Sequence, residues 1–276
     1  MKKNVVFSGG LGNQMFQYAF VLSLRDRGIS CIVDTSRYDL HKMHNGFELD
    51  RIFNLEEKIE KQNFIHVRIV QLLGKFRPRK FVYKDRIYQY CEDVYHAKQP
   101  YLFGDWINEN YFNNLRYYVQ KKFQFTRISS HNKDKSQEII NKQSVSIHIR
   151  RGDYLKLPNY CVCDEKYYFQ AIKIILEKVE NPIFYIFSDD PSWANKFMSH
   201  MNLNYQIIDW NQNIDSFQDM YLMTQCKHNI IANSTFSWWG AWLNMNKNKI
   251  VISPKKWFHN SNNNANCKDW ILVPIK

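Results

Sequence analysis

The 276-residue sequence has few of the features that mark a secreted or a membrane-spanning protein. Its six cysteines are too few to hold a chain of this length together by disulfides. No stretch approaches the roughly 18 consecutive apolar residues of a spanning helix. The apolar segment after Met1 is too short for a signal peptide and runs at once into glycines. We therefore expect reduced thiols and a cytoplasmic protein that can associate peripherally with the inner membrane.

The usual patterns of a metal site are missing as well. Cys161 and Cys163 are separated by one residue, which fits neither a C-x-x-C redox motif nor common zinc spacing. The sequence contains no Asp-x-Asp, the usual signature of metal-dependent sugar transferases. Asp189 and Asp190 are adjacent after a predicted strand, so their side chains should point to opposite sides. We predict no metal; one carboxylate would contact a ligand and the other would cap the helix at Pro191.

The formal net charge of +12 leaves several types of partner open. It is compatible with a solvated lysine-rich surface, an anionic substrate, an anionic lipid surface or nucleic acid. The most basic stretch, residues 75–81, carries Lys and Arg between aromatic residues, but no named nucleic-acid motif accompanies it. We expect no nucleic-acid partner, and this stretch is a candidate for peripheral contact with a membrane.

The order of apolar segments predicts an α/β protein of two domains, 1–140 and 141–276. A strand at 5–8, a helix at 13–27 and a strand at 31–33 form a βαβ opening. Residues 36–100 have weak periodicity. In the second half, apolar strands alternate with helices, which indicates a parallel sheet covered on both faces. Ligands of such sheets bind at the carboxyl ends of the strands.

The turn after the first strand resembles part of a dinucleotide-binding fingerprint. Gly10 and Gly12 fit it, and Asp34 ends the next strand, but Met15 replaces the third glycine. An NAD-linked oxidoreductase therefore stays an alternative. Asn13 and Gln14 at the helix start are better suited to touching a ligand.

Two strand ends in the second half carry groups suited to anions. His148 and Arg150 share one face of a strand, and Arg151 and Asp153 follow. Adjacent arginines are costly to bury unless they meet anions, and the planar guanidinium suits a diphosphate. The alternative is a structural Arg–Asp salt bridge. The other strand end, residues 233–235, places Ser and Thr at a helix start, which is either an anion site or an ordinary cap.

These segments together resemble glycosyltransferase family 11, the α-1,2-fucosyltransferases. The matching stretches are GGLGNQMFQYA at 9–19, HIRRGDY at 148–154, FSDD at 187–190, NSTFSWWGAWL at 233–243 and VISPKKW at 251–257. The resemblance implies a GT-B-like fold, with two Rossmann-type domains facing across a cleft. It implies inverting, metal-independent transfer from GDP-β-L-fucose to the 2-hydroxyl of a galactose in O-antigen or capsule synthesis, with no cofactor besides the donor.

The resemblance also assigns roles to residues. The first arginine of the motif, Arg150, would contact the β-phosphate of the donor. We predict Arg150 and Asp153 as catalytic. The predicted donor-binding residues are Gly10, Gly12, Asn13, Gln14, His148, Arg151, Ser188, Asp189, Asn233, Ser234, Thr235 and Phe236. The predicted acceptor-binding residues are Asp105, Trp106 and Trp238.

The catalytic base is left open by the sequence. Asp153, His148, Asp105 and Glu109 all qualify by residue type. Some related fucosyltransferases have a glutamate just after the arginine motif, whereas here no carboxylate follows before Asp164. Besides an enzyme that uses another sugar nucleotide, a non-catalytic basic binder is a further alternative; it would show steep salt dependence and no nucleotide preference.

Overall fold

The computed structural model describes residues 2–40, 44–55, 59, 62–86, 88–157, 159–160 and 162–275. Two compact units are present, Met1–Arg127 and Ile128–Lys276. The predicted boundary at residue 140 lies at the end of a helix, Ser130–Ile140, that belongs to the second unit. Ile139 of this helix is buried against Tyr185 and Leu222. The structure therefore moves the boundary to residue 127.

The first unit is built on a four-stranded parallel sheet with the strand order β2-β1-β4-β3. Its strands are β1 (Lys3–Val6), β2 (Cys31–Asp34), β3 (Val82–Lys84) and β4 (Tyr101–Phe103). Its helices are α1 (Leu11–Asp26), α2 (Ser36–Leu40), α3 (Leu49–Ile52), α4 (Phe64–Phe76) and α5 (Arg116–Lys122). Helix α1 is buried over most of its length, which explains its apolar composition. Two 3-10 turns, Glu109–Tyr111 and Asn113–Leu115, lead directly into α5.

The second unit holds a six-stranded parallel sheet with the order β10-β9-β8-β5-β6-β7. Its strands are β5 (Ser144–Ile149), β6 (Ile183–Ser188), β7 (Tyr205–Ile208), β8 (His228–Ile230), β9 (Val251–Pro254) and β10 (Ile271–Val273). Its helices are α6 (Ser130–Ile140), α7 (Glu165–Leu176), α8 (Pro191–Ser199), α9 (Phe217–Gln225) and α10 (Thr235–Leu243). The predicted alternation of buried strands with helices in the second half is confirmed, and helix α6 and the edge strand β10 are additions to it.

Both sheets reverse their direction of growth at one point. From β5 the chain adds β6 and β7 on one side, then returns to add β8, β9 and β10 on the other. The switch point of the second sheet therefore lies between β5 and β8, and that of the first lies between β1 and β4. Crevices for ligands form at the carboxyl ends of strands at such points. The predicted fold class, two Rossmann-type α/β units as in GT-B-like proteins, is confirmed.

Two predictions that concern membranes and thiols can be compared with this architecture. Within the ranges that the structure describes, no helix has the length and apolar character needed to cross a membrane. Cys163 and the other four described cysteines are buried. Cys161 lies outside the described residues.

Candidate functional site

The central strand β5 ends in a cluster of charged residues. Strand β5 is buried along its whole length because it lies in the middle of the sheet. Arg150 follows directly, and its two terminal nitrogens meet two carboxylates. Nη1 lies 3.1 Å from Asp189 Oδ2, and Nη2 lies 2.8 Å from Asp153 Oδ1. Arg150 is thus held as a fork at the switch point of the sheet, and the Arg–Asp salt bridge that was the alternative interpretation is present.

Asp189 is the better held of these two carboxylates. Its Oδ1 accepts a hydrogen bond from the backbone N–H of Arg151 at 2.8 Å, while Oδ2 faces Arg150. A Cβ atom at Gly152 would lie 2.9 Å from Asp189 Oδ2, so glycine is required by close approach. Asp153, in contrast, is half exposed at the start of a 3-10 turn. Asp189 therefore anchors Arg150, and Asp153 is its looser partner.

Arg151 points toward helix α8 and has a different environment. Its guanidinium stacks on the ring of Trp193 at 4.1 Å, and its Nε lies 3.5 Å from Asp190 Oδ2. Asp190 Oδ1 accepts from the backbone N–H of Trp193 at 3.1 Å, so the predicted capping role of Asp190 is confirmed. Ser188 Oγ accepts from the backbone N–H of Asp190 at 3.0 Å. Arg151 and Ser188 thus stabilise the start of α8.

His148 lies inside the sheet end as a neutral group. Its side chain is buried, and Nδ1 has no hydrogen-bond partner among the described residues. Burial, and secondarily the charge of Arg150, lowers the pKa of His148 to about 3. The imidazole is therefore uncharged near neutral pH and is a weak base there. Its ring lies 5.8 Å from the ring of Phe236, which joins the end of β5 to the start of α10.

The segment before α10 combines a fixed amide with an uncapped helix start. Asn233 donates through Nδ2 to the carbonyl oxygens of Tyr160 at 2.8 Å and Trp257 at 2.9 Å. The amide nitrogen of Asn233 is therefore bound to the protein backbone, whereas the sequence predicts that this residue binds the donor substrate. Ser234 is the N-cap of α10, and its hydroxyl makes no capping bond to the helix. The first turn, with Thr235, thus has the character of an anion-binding helix start.

The predicted acceptor contacts of two tryptophans are not supported. Trp238 is fully buried, and its indole N–H donates to the carbonyl of Ala265 at 2.6 Å. Trp106 is also fully buried and stacks on Phe20 at 4.0 Å. Both side chains fill cores, because α10 and α1 are apolar on almost all sides.

Asp105 follows β4 at the switch point of the first sheet. Its Oδ1 accepts from Asn13 Nδ2 at 3.4 Å and from Gln17 Nε2 at 3.2 Å. Burial raises the pKa of Asp105, against the opposing effect of Arg37 and these two amides. Gln17 was missed by the sequence analysis. The sequence does carry a signal for it, because Gln17 is a polar residue within the apolar stretch that forms the buried helix α1.

The glycine-rich loop of the first unit is fixed by the remaining predicted residues. Gln14 is fully buried; it donates to the carbonyl of Gly46 at 2.8 Å and accepts from the N–H of Glu48 at 2.8 Å. Gly10 is the N-cap of α1, and Gly12 is buried in its first turn. Gln14 therefore holds the loop at residues 46–48 against α1. The sequence predicts that Gln14 binds the donor, and the structure corrects this prediction.

The described residues contain no group of three or more His, Cys, Asp or Glu side chains placed to hold a metal ion. The chemistry available at the second sheet comes from the Arg150 fork, a neutral imidazole and a helix start. Three carboxylates and two guanidinium groups surround the end of β5. Such a site is suited to holding a phosphorylated ligand by hydrogen bonds from fixed donors.

The chain is similar in sequence to several known proteins. The model of the family described as glycosyl transferase family 11 matches residues 2–273. An alpha-1,2-colitosyltransferase of Escherichia coli is 34% identical over 275 residues, covering 94% of this chain and 93% of that protein. The O-antigen biosynthesis glycosyltransferase WbnK of Escherichia coli is 32% identical, covering 96% and 98%. The human galactoside alpha-(1,2)-fucosyltransferase 1 is 26% identical over 148 residues, covering 48% and 40%.

Proposed function

The chain belongs to glycosyl transferase family 11, and from this we propose that it transfers L-fucose from GDP-β-L-fucose to the 2-hydroxyl of a galactoside. The transfer inverts the anomeric centre, needs neither a metal ion nor a cofactor besides the donor, and serves the synthesis of a surface glycan. The α-1,2 linkage is supported by the names of two relatives that act on different sugars. A role in surface glycan synthesis is supported by the name of WbnK.

The observation that carries the proposal is the fork of Arg150 at the switch point of the second sheet. Glycosyl transfer passes through an oxocarbenium-like state while negative charge grows on the departing diphosphate. Fixed donors that face this charge lower the barrier, because they need no reorganisation during the reaction. In our proposal Asp189 holds Nη1 of Arg150 while Nη2 donates to the diphosphate, and the start of α10 at Ser234 and Thr235 provides backbone donors.

An inverting transfer also needs a base for the acceptor hydroxyl. The neutral His148 is disfavoured by its lowered pKa, and Glu109 lies 3.9 Å from Arg116. Asp153 is bound to Arg150, not to Arg151, and its assignment as the base stays a prediction. Asp105 has a raised pKa and accepts hydrogen bonds from two amides, which fits a proton acceptor on the acceptor side.

A second donor is favoured by one specific observation. The alpha-1,2-colitosyltransferase matches this chain over nearly its whole length, at 34% identity. Colitose is L-fucose without the 3-hydroxyl group, so the two donors would use the same diphosphate site. They differ by one hydroxyl group, and a site built to hydrogen-bond that hydroxyl rejects the deoxy sugar strongly.

The test is product analysis with a panel of donors and acceptors. The purified chain is incubated with GDP-fucose, GDP-colitose or UDP-galactose and a set of β-galactosides, with and without EDTA. We expect an α-1,2-linked product from GDP-fucose that EDTA does not abolish. Turnover of GDP-colitose alone would replace the first donor by the second, and loss of activity with EDTA would refute the metal-free mechanism.

A binding measurement separates the remaining alternatives. Selective thermal stabilisation by GDP, but not by UDP or NAD, is expected if the second sheet binds the donor. Stabilisation by NAD alone would instead favour an oxidoreductase.

A further inference from the structure

Helix α4 of the first unit presents apolar side chains on two opposite faces. On the inner face, Val70 is fully buried and packs with residues of the first sheet. On the outer face, Ile65, Ile69, Leu72 and Phe76 have exposed fractions of 71%, 42%, 56% and 67%. Their spacing of four, three and four residues places them along one line of the helix. We refer to these four residues as the α4 stripe.

A line of exposed apolar side chains is different from the scattered ones that every surface has. Single exposed residues of this type are common, whereas contiguous ones mark a surface that contacts something else. The α4 stripe is extended at its ends by two further exposed aromatic rings, those of Phe64 and Phe81. The apolar surface therefore continues over the whole length of the helix and onto the loop that follows it.

The segment that carries the α4 stripe contains Lys and Arg but neither Asp nor Glu. Residues 62–84 contain no Asp or Glu. The same segment contains six Lys and Arg residues, namely Arg68, Lys75, Arg77, Arg79, Lys80 and Lys84, and all of them are exposed. None of the six forms an ion pair with a carboxylate in the part of the chain that the structure describes. This surface combines exposed apolar groups with unneutralised positive charge.

We propose that α4 and the loop at 77–81 bind the surface of an anionic lipid bilayer. An occupant of this surface has to be apolar and negatively charged, which is the chemistry of the boundary between acidic headgroups and acyl chains. The stripe lies on one straight helix with basic residues at its flank and end, so the helix lies in the plane of the interface. The 13 residues of α4 are too few to cross a bilayer, so the contact is peripheral.

Long basic side chains favour this arrangement further. Lys75 and Arg68 lie beside the stripe on the helix, and their alkyl stems extend toward the headgroups while the apolar side chains enter the boundary. The proposal goes beyond glycosyl transfer, and its test does not depend on any activity of the chain. It brings the protein to the surface where membrane-anchored acceptors of glycan synthesis would be found.

The test is flotation of the full chain with lipid vesicles. Vesicles of phosphatidylcholine alone are compared with vesicles that also contain phosphatidylglycerol, at low and at high salt. We expect binding to the anionic vesicles, weakened by salt, and little binding to the neutral ones. The apolar variant Ile65→Ser/Leu72→Ser should bind anionic vesicles roughly tenfold more weakly than the unaltered chain, since two partly inserted side chains are lost.

The charge variant Lys75→Gln/Lys80→Gln separates the two contributions. Each basic residue near an anionic surface contributes a factor of roughly five, so binding should weaken roughly thirtyfold. The matched controls lie in the second unit on or near α7: Phe169→Ser/Leu176→Ser, with exposed fractions of 59% and 44%, and Lys166→Gln/Lys178→Gln. Both controls should bind vesicles as the unaltered chain does. Circular dichroism confirms that each variant is folded.

Three results would overturn the proposal. The first is failure of the unaltered chain to float with anionic vesicles. The second is an equal loss of binding in the α4 variants and in the α7 controls. The third is a dimer in sedimentation that the Ile65→Ser/Leu72→Ser variant dissociates, without vesicle binding by the unaltered chain, which would identify a second copy as the occupant.

Discussion

Replacement of Arg150 by lysine tests the central feature of the donor site. The substitution keeps the positive charge but removes the planar fork, since lysine has a single terminal nitrogen. In the structure the two nitrogens of Arg150 face two different carboxylates, at 3.1 Å and 2.8 Å. A lysine can retain the contact with Asp189 or make a contact to a phosphate, but it cannot hold both in the same geometry.

The expected loss follows from the number of contacts removed. A hydrogen bond to a charged group is worth about 1.5–3 kcal/mol. Loss of one preorganised donor in a transition state lowers kcat by roughly 10²–10³. We therefore expect kcat/KM of Arg150→Lys to fall about 100-fold. Folding stability should change little, because pairs as exposed as Arg150–Asp153 contribute only about 0–1 kcal/mol.

The assay measures kcat and KM for donor turnover together with the Tm of each variant. The matched control is Arg151→Lys in the neighbouring position. Arg151 stacks on Trp193 and approaches Asp190, so its replacement should affect Tm more than kcat. Near-normal kcat/KM for Arg150→Lys, within about threefold of the unaltered chain, would refute the diphosphate role of Arg150.

Three further substitutions have distinct expected outcomes. Asp153→Asn should bind GDP in calorimetry at least as tightly as the unaltered chain, because Asp153 competes with phosphate for Arg150; weaker binding would contradict this. Burial raises the pKa of Asp219 from 3.8 to about 7, so the folded state keeps a proton that the unfolded chain releases above about pH 4. Stability should therefore fall as the pH rises through this window, and Asp219→Asn should remove the fall in Tm. Gly104→Ala would place a Cβ 2.1 Å from that of Asp85, so thermal unfolding should show a loss of about 1–3 kcal/mol, and an unchanged Tm would argue against this crowding.

The fold of the second unit could be predicted because its strands are buried on both faces. Strand β6 then appears as a continuous apolar run, and β5 carries three buried apolar residues, Val145, Ile147 and Ile149, between helices of clear period. The first unit gave a weaker pattern for physical reasons. Its strands β3 and β4 have three residues each, and α4 has apolar residues on its inner and outer faces. A helix that is apolar on two sides loses the one-sided period on which sequence analysis depends.

The location of the candidate site could be predicted from the sequence, but not every residue that belongs to it. The strand-end motif identified Arg150 because charged groups after a buried strand need partners. Residue type alone could not distinguish an amide that faces a ligand from one bound to the backbone, as in Gln14 and Asn233. Nor could it show that Trp106 and Trp238 fill cores. These distinctions depend on contacts between residues far apart in the chain.

The charges at the end of β5 indicate which contact has to change when the donor binds. Three carboxylates face two guanidinium groups, so the cluster carries a net negative charge that opposes a diphosphate. Binding is favoured if the looser carboxylate withdraws. Asp153 is 51% exposed, whereas Asp189 is 23% exposed and is also held by the backbone N–H of Arg151. Release of Asp153 into water costs little, since exposed pairs contribute about 0–1 kcal/mol. Asp189 then keeps Arg150 in place, and the nitrogen that Asp153 leaves is available to the phosphate.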